Sequence, residues 1–185
     1  MALWIILIVV VAVIGFVISV YNGLVRSKMN VENAWSQIDV QLQRRFDLIP
    51  NFVETVKGYM SHEKETLEKI TELRTSWANA TTVEQKVELD NQLSGALKTI
   101  MAVSENYPDL KANQNFMKLS EELTNTENKI SFSRQFYNDT VTIYNTKLQA
   151  FPSNIIAGMF NFTRSELFKT DEASRQNVKV DFGNN

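Results

Sequence analysis

The first twenty-one residues are dominated by one apolar run. Ala2 to Tyr21 contains no charged residue and no proline. A helix rises about 1.5 Å per residue, so this run covers roughly 30 Å, the thickness of the hydrocarbon core of a bilayer. A helix satisfies its own backbone polar groups in lipid, and Trp4 and Tyr21 fall where aromatic side chains prefer the membrane interface. The pattern predicts one transmembrane helix.

A cleaved signal peptide is the alternative for this run. No basic region precedes it, no small-x-small cleavage site follows it, and the sequence has no cysteine for a lipoprotein-type cleavage. We therefore expect an uncleaved anchor. Arg26 and Lys28 follow the run closely and no basic residue precedes it, so the positive-inside rule predicts Met1 outside and the C-terminal body in the cytoplasm.

Beyond the anchor, apolar residues recur at helical spacing. The pattern predicts an amphipathic helix that continues out of the membrane to about Phe46. Pro50 disfavours helical dihedrals in the residue before it, and Asp47 is a suitable N-cap. We therefore expect a tight turn near Asp47 and a second helix from about Leu48 to Trp77.

Two further helices follow in the pattern. A capping box at Thr81 or Thr82 predicts a third helix from about Val83 to Glu105. The break Asn106-Tyr107-Pro108-Asp109 separates it from the last helix, whose stripe from Phe116 to Phe151 makes this helix the longest. Stripes of this length pack at shallow crossing angles, so we expect an elongated antiparallel bundle of three to four long helices.

The end of the chain has weak periodicity. Pro152 ends the last helix, and the apolar patch Ile155 to Phe160 that follows is too short for a second span. This patch could cover a bundle end, dip into the membrane surface or form a protein interface. The tail from Thr170 to Asn185 is polar, and we expect it to be mobile.

The predicted fold is thus all-α with three parts. A transmembrane anchor occupies residues 1–21, a helical bundle residues 22–160, and a polar C-terminal tail residues 161–185.

Composition then removes several classes of function. The 185 residues have a net charge of −2 and no long basic run, which disfavours nucleic-acid binding. His62 is the only histidine and cysteine is absent, so a zinc site with several nitrogen or sulfur ligands is not expected. The sequence has no Glu-x-x-His, P-loop, dinucleotide or nucleophile-elbow motif. We expect no metal, no cofactor and no enzymatic activity.

Charged residues at the predicted first turn are candidates for structural or interface roles. Arg44, Arg45 and Asp47 could form a helix cap and an ion pair, or a polar contact to a neighbouring subunit. Arg134 lies with Tyr137 near the inward stripe of the last helix, where a buried arginine needs a partner such as a carboxylate on another helix.

Several spaced motifs resemble those of the LemA family. They are Gln43-Arg44-Arg45-Phe46-Asp47-Leu48-Ile49-Pro50-Asn51, Asn106-Tyr107-Pro108-Asp109-Leu110-Lys111-Ala112-Asn113, Ser133-Arg134-Gln135-Phe136-Tyr137-Asn138, Tyr144-Asn145, Phe151-Pro152-Ser153-Asn154 and the closing Val178-Lys179-Val180-Asp181-Phe182. The resemblance implies a bacterial inner-membrane protein with one N-terminal span and a long antiparallel bundle, and it implies little chemistry. After Phe162 the segment is polar and lacks the usual run of aromatics.

Two functions are therefore expected as alternatives. The first is a membrane scaffold that self-associates and organises or remodels the bilayer. The second is an adaptor that docks a membrane protease or signalling partner through its bundle or its tail. The candidate structural or interface residues for both are Arg44, Arg45, Asp47, Pro50, Asn51, Tyr107, Pro108, Asp109, Arg134, Tyr137, Tyr144, Asn145 and Pro152.

Overall fold

All regular elements in the part of the chain that the structure describes, residues 1–60 and 62–168 of a computed structural model, are helices. They are α1 (Ala2–Lys57), α2 (Lys64–Asn79), α3 (Val83–Ser104), α4 (Pro108–Lys111), α5 (Gln114–Gln149) and α6 (Ser153–Met159). The all-α prediction is confirmed. Four of these helices have sixteen residues or more and build the bundle.

Helices α1 and α5 form the antiparallel axis of the bundle. At the far end Phe52 of α1 lies 6.0 Å from Phe116 of α5, ring centroid to ring centroid. Nearer the apolar N-terminus, Trp35 lies 5.9 Å from Tyr137. Since rising numbers on α1 meet falling numbers on α5, the two helices run in opposite directions and share one long apolar seam.

A hairpin of α2 and α3 covers the distal part of this seam. Trp77 near the end of α2 stacks on Phe46 of α1, with ring centroids 4.4 Å apart. At the start of α3, the Lys86 ammonium lies 2.5 Å from the Asp39 carboxylate of α1. The hairpin therefore turns back near residues 39–46 of α1. The bundle has four helices at its distal end, far from the apolar N-terminus, and fewer helices between residue 39 and that N-terminus.

Helix α1 does not stop near Asp47, so the predicted tight turn is wrong, and so is the second helix from Leu48. The helix continues through Pro50, because its apolar stripe continues too: Phe46, Ile49 and Phe52 are each at most 1% exposed. Burying each such side chain stabilises by about 1.5–3 kcal/mol, which together outweighs the roughly 3 kcal/mol penalty of an internal proline. The chain turns only after α1 ends at Lys57.

The remaining boundaries lie close to those expected. Thr82 is the N-cap of α3, and its hydroxyl accepts a hydrogen bond from the Gln85 amide at 3.2 Å, completing a capping box. Helix α5 ends at Gln149, just before Pro152. It is not the longest helix as expected, because α1 has 56 residues and α5 has 36.

The apolar N-terminal part of α1 projects from the bundle. Side chains from Leu3 to Val13 are about half exposed or more. Among the described residues, α1 is the one helix whose length and composition would let it cross a membrane. The expected mobile tail from Thr170 to Asn185, with the family-like ending at 178–182, lies outside the described residues.

Candidate functional site

A cluster of charged side chains crosses the bundle between α1, α3 and α5. Arg45 of α1 is 3% exposed and Asp90 of α3 is fully buried. The Arg45 Nη1 lies 2.8 Å from Asp90 Oδ1 and 2.5 Å from Glu127 Oε2 of α5. Arg134 of α5 binds the other oxygen of Asp90. We call these four residues the charge cluster. It supplies the carboxylate on another helix that a buried Arg134 requires.

The contacts of the charge cluster indicate a structural role. Burial raises the pKa of the Asp90 carboxyl, whereas the neighbouring Arg45 and Arg134 act to lower it. Each Asp90 oxygen accepts a hydrogen bond from a guanidinium group, and the residue is fully buried, so a substrate cannot reach this carboxylate. Within the described ranges no group of three or more His, Cys, Asp or Glu side chains could hold a metal ion. The cluster therefore fixes three helices in register.

The other charged residues of the first signature are dispersed, because α1 does not turn there. Arg44 binds Glu122 of α5 at 2.7 Å in a half-exposed pair, which is worth at most about 1 kcal/mol. Asp47 accepts a hydrogen bond from Gln43 one turn earlier on α1, so the expected helix cap is wrong. Asn51 is exposed on the next turn of α1.

The second signature forms the corner between α3 and α5. The Tyr107 hydroxyl donates to the Glu63 carboxylate just before α2, at 3.0 Å, and this bond raises the pKa of the tyrosine. Pro108 is the first residue of α4, a position that suits its fixed φ, and Asp109 lies in that helix's first turn. This corner ties the distal ends of α2 and α3 together.

An extended segment after α6, Thr163–Phe168, lies along α5, and we call it the strap. Tyr137 and Tyr144 donate their hydroxyls to the carbonyls of Glu166 and Thr163, each at 3.0 Å. Burial raises the pKa of both tyrosines, so the hydroxyls stay protonated and donate. The ordered bundle therefore extends to Phe168 and does not end at residue 160 as expected.

Two asparagines hold the strap by its backbone. Asn145 donates to the Ser165 carbonyl at 2.9 Å and accepts from the Ser165 amide at 3.0 Å. Asn138 makes the same pair of bonds to Phe168, at 3.1 and 2.7 Å. Seven residues of helix rise about 10.5 Å and three residues of extended chain span about 10 Å, so a Tyr-Asn pair repeated every seven residues matches the strap.

Phe168 joins the strap to the charge cluster. Its side chain is 4% exposed, and its ring centroid lies 6.4 Å from that of Trp35. The Arg134 guanidinium lies 4.3 Å from the Phe168 ring, within the range of a cation–π contact. The α2–α3 hairpin does not reach the part of the α1–α5 seam that lies nearer the apolar N-terminus. The strap therefore covers the seam in that part.

Helix α6 packs where the apolar part of α1 meets the bundle. Ile156 and Ala157 are buried against Leu24 of α1, together with the partly buried Val17 and Val20. Pro152 lies in the turn that precedes α6. The apolar patch 155–160 therefore covers the lower end of the bundle, while several of its side chains face outward.

Sequence reasoning missed the partners of its candidate residues. Asp90 and Glu127 complete the charge cluster but lie in unremarkable polar runs. Asn138 and Phe168 complete the strap contact, and the repeat of Tyr-Asn seven residues apart was the signal that could have indicated it.

One apolar helix followed by a bundle with a buried charge cluster and a docked strap defines a membrane-associated helical protein. The chain belongs to the LemA family, whose model matches residues 34–182.

Relatives agree with this assignment. The chain is 30% identical to Protein LemA of Metamycoplasma hominis, over 85% of this chain and 72% of that protein. It is 25% identical to Magnetosome protein MamQ 2 of Paramagnetospirillum magneticum, over 89% of this chain and 70% of that protein. It is 22% identical to Magnetosome protein MamQ of Magnetospirillum gryphiswaldense, over 85% of this chain and 68% of that protein. None of these names states an enzymatic activity.

Proposed function

We propose that this protein is a non-enzymatic, membrane-anchored scaffold that self-associates and organises or remodels the bilayer. The observation that carries the proposal is an exposed apolar stripe on α5. Phe132, Phe136 and Ile143 are 74%, 53% and 57% exposed. We call these three residues the α5 stripe.

The geometry of the α5 stripe suits contact with another helical surface. Steps of four and seven residues keep the three side chains within about 40° of one another around the helix. The buried side of α5, with Ile130 and Val141, lies more than about 100° away. A row of large apolar groups on the outside of a helix favours packing against a second apolar surface. A second copy of the chain, held in the same membrane at the same height, presents such a surface.

The rigid connection between anchor and bundle supports the scaffold. Helix α1 runs without interruption from Ala2 to Lys57, and α6 braces it at Leu24. Val17 and Val20 pack against the cluster formed by Leu24, Ile156 and Ala157, so the end of the apolar run is part of the folded unit. This supports an uncleaved anchor over a cleaved signal peptide. Copies that associate through their bundles would therefore also align their spans.

Two further features support a cellular location and a role for the protein. Arg26 and Lys28 follow the span, so we place the bundle in the cytoplasm of a bacterial cell, with the anchor in the inner membrane. The MamQ relatives are named magnetosome proteins, which supports a role in organising a cellular structure over a role in catalysis.

Self-association is tested on the full-length protein in native-membrane nanodiscs, by mass photometry with negative-stain images of the same sample. We expect discrete assemblies of several copies. Replacing the α5 stripe in the variant Phe132→Ser/Phe136→Ser/Ile143→Ser should reduce them to monomers, because the apolar contact area is lost.

Val40→Ser is the matched control, since Val40 is 63% exposed on α1 and lies outside the α5 stripe. This variant should assemble like the unchanged protein. A monomer at high concentration would contradict the scaffold. A monomer that carries a second protein, lost when the α5 stripe is replaced, would favour an adaptor that docks a membrane-protein partner.

A further inference from the structure

We propose that the turn around α6 is a membrane-embedded foot, which lies in the boundary between lipid headgroups and acyl chains beside the span. Its outward side chains are Phe151, Ile155, Met159 and Phe160, exposed by 80%, 53%, 67% and 49%. We call these four residues the foot. The inference rests on the membrane anchor and does not depend on self-association.

The first argument is the depth at which α6 sits. Its buried residues Ile156 and Ala157 contact a cluster that includes Val17 and Val20. Both valines belong to the apolar run that ends at Tyr21, and Val17 lies about 6 Å before that end along the helix axis. Interfacial helices bury their apolar face about 5–10 Å into the headgroup–acyl boundary. A segment packed on Val17 and Val20 therefore lies at that depth once residues 2–21 span the bilayer.

The second argument is the direction in which the foot faces. Ile156 and Ala157 point toward α1, whereas Ile155 and Met159, four residues apart, share the side turned away from the bundle. No described element covers that side, but the lipid around the span is directly continuous with it. Phe160 also lies 4.7 Å from Tyr21, centroid to centroid, so an aromatic pair stands at the interface where such rings are preferred.

The third argument is charge. The membrane-proximal segments 22–31 and 140–165 carry Arg26, Lys28, Lys147 and Arg164, and they contain no acidic residue. Lys28 and Phe160 line the same groove beside Tyr21. Glu32 also lines this groove, so the four cations exceed the carboxylates at this end of the molecule. An excess of positive charge suits the plane of lipid phosphates above an apolar foot.

The chain lacks cysteine, so a single introduced cysteine can carry a nitroxide label at a chosen position. Met159→Cys places the label on the foot. Met117→Cys is the matched control, since Met117 is 50% exposed at the distal end of α5. Each full-length variant is reconstituted as one copy per nanodisc of phosphatidylcholine and phosphatidylglycerol, which separates the foot from contacts between copies. The collision rates of the label with oxygen and with a water-soluble nickel chelate then give its depth.

We expect the ratio of oxygen to nickel accessibility at Met159→Cys to be several-fold higher than at Met117→Cys. Ile155→Cys should behave like Met159→Cys, which guards against a local effect of one label. A label at position 159 that favours nickel, as in water, would overturn the proposal. A label shielded from both reagents would overturn it too, because protein and not lipid would then cover the foot.

Discussion

Asp90 is the residue on which the interior charge of the bundle depends. It is fully buried and contacts two arginines on two other helices. The three charges are separated by 45 and 44 residues along the chain, so their contact requires the folded arrangement of α1, α3 and α5. Such a cluster contributes more to fixing one arrangement than to raising stability, because burying charges opposes the gain from pairing them.

Replacing this carboxylate should be strongly destabilising. Asp90→Ala leaves Arg45 and Arg134 as buried charges without their main partner, and we expect a loss of about 3–5 kcal/mol in the free energy of unfolding. Thermal or chemical unfolding of the purified full-length protein, followed by circular dichroism, measures this. Asp139→Ala, which removes an exposed carboxylate on α5, should change the free energy by at most about 0.5 kcal/mol.

A variant with apolar side chains in the charge cluster distinguishes the effect of charge on stability from the effect of packing. Arg45→Met/Asp90→Leu/Arg134→Met removes the three most buried charges and leaves only Glu127, which is 38% exposed, so most of the stability lost in Asp90→Ala should return. If the triple variant were as unstable as Asp90→Ala, the shape of the side chains, and not their charge, would dominate at this position.

At the scale of the elements, the stripes of apolar residues predicted most helices well. Helical periodicity is local, and both α3 and α5 show it. The predicted turn near Asp47 is wrong because the preference of Pro50 is local, whereas the burial of the surrounding apolar stripe depends on packing against α5. The strap could not be predicted from its own residues, since it is held mainly through its backbone. In the sequence, only the repeated Tyr-Asn pair on α5 indicates that contact.

The internal proline leads to a prediction about α1. Pro50→Ala restores a backbone donor and removes the ring clash with the preceding turn, so we expect the free energy of unfolding to rise by about 1–3 kcal/mol. The melting temperature of the full-length protein in detergent reports this change. Pro108→Ala is the control, because Pro108 occupies the first position of α4, where proline is well tolerated, and it should give no gain. A drop in stability for Pro50→Ala would mean that the proline ring itself is needed for packing.

At the scale of the whole molecule, the anchor, the foot and the strap meet at the lower end, whereas the four-helix part lies at the far end. The cytoplasmic placement proposed for the bundle follows from the direction in which α1 crosses the bilayer, whereas the foot lies beside the span in either orientation. Sidedness thus decides in which compartment the bundle would meet its partners.

Sidedness can be measured with single cysteines in the cysteine-free chain. Glu68→Cys lies on the exposed side of α2, and we expect a membrane-impermeant maleimide to label it in inside-out vesicles and not in right-side-out ones. Ala2→Cys should show the opposite pattern, since it lies at the other end of the span. Labelling of Glu68→Cys in right-side-out vesicles would place the bundle outside the cell.

Because α1 is one uninterrupted helix, a tilt of its apolar part would move the far end of the bundle. Lys57 lies 36 residues beyond Tyr21, or about 54 Å along the helix axis. A change of about 10° in the tilt of the span, well within the range seen for transmembrane helices, would swing the far end by about 9 Å. Small differences in bilayer thickness or curvature would therefore become large displacements at the distal tip, where the α1–α2 and α3–α5 corners lie. A chain of this shape can report the state of its membrane at a distance from it.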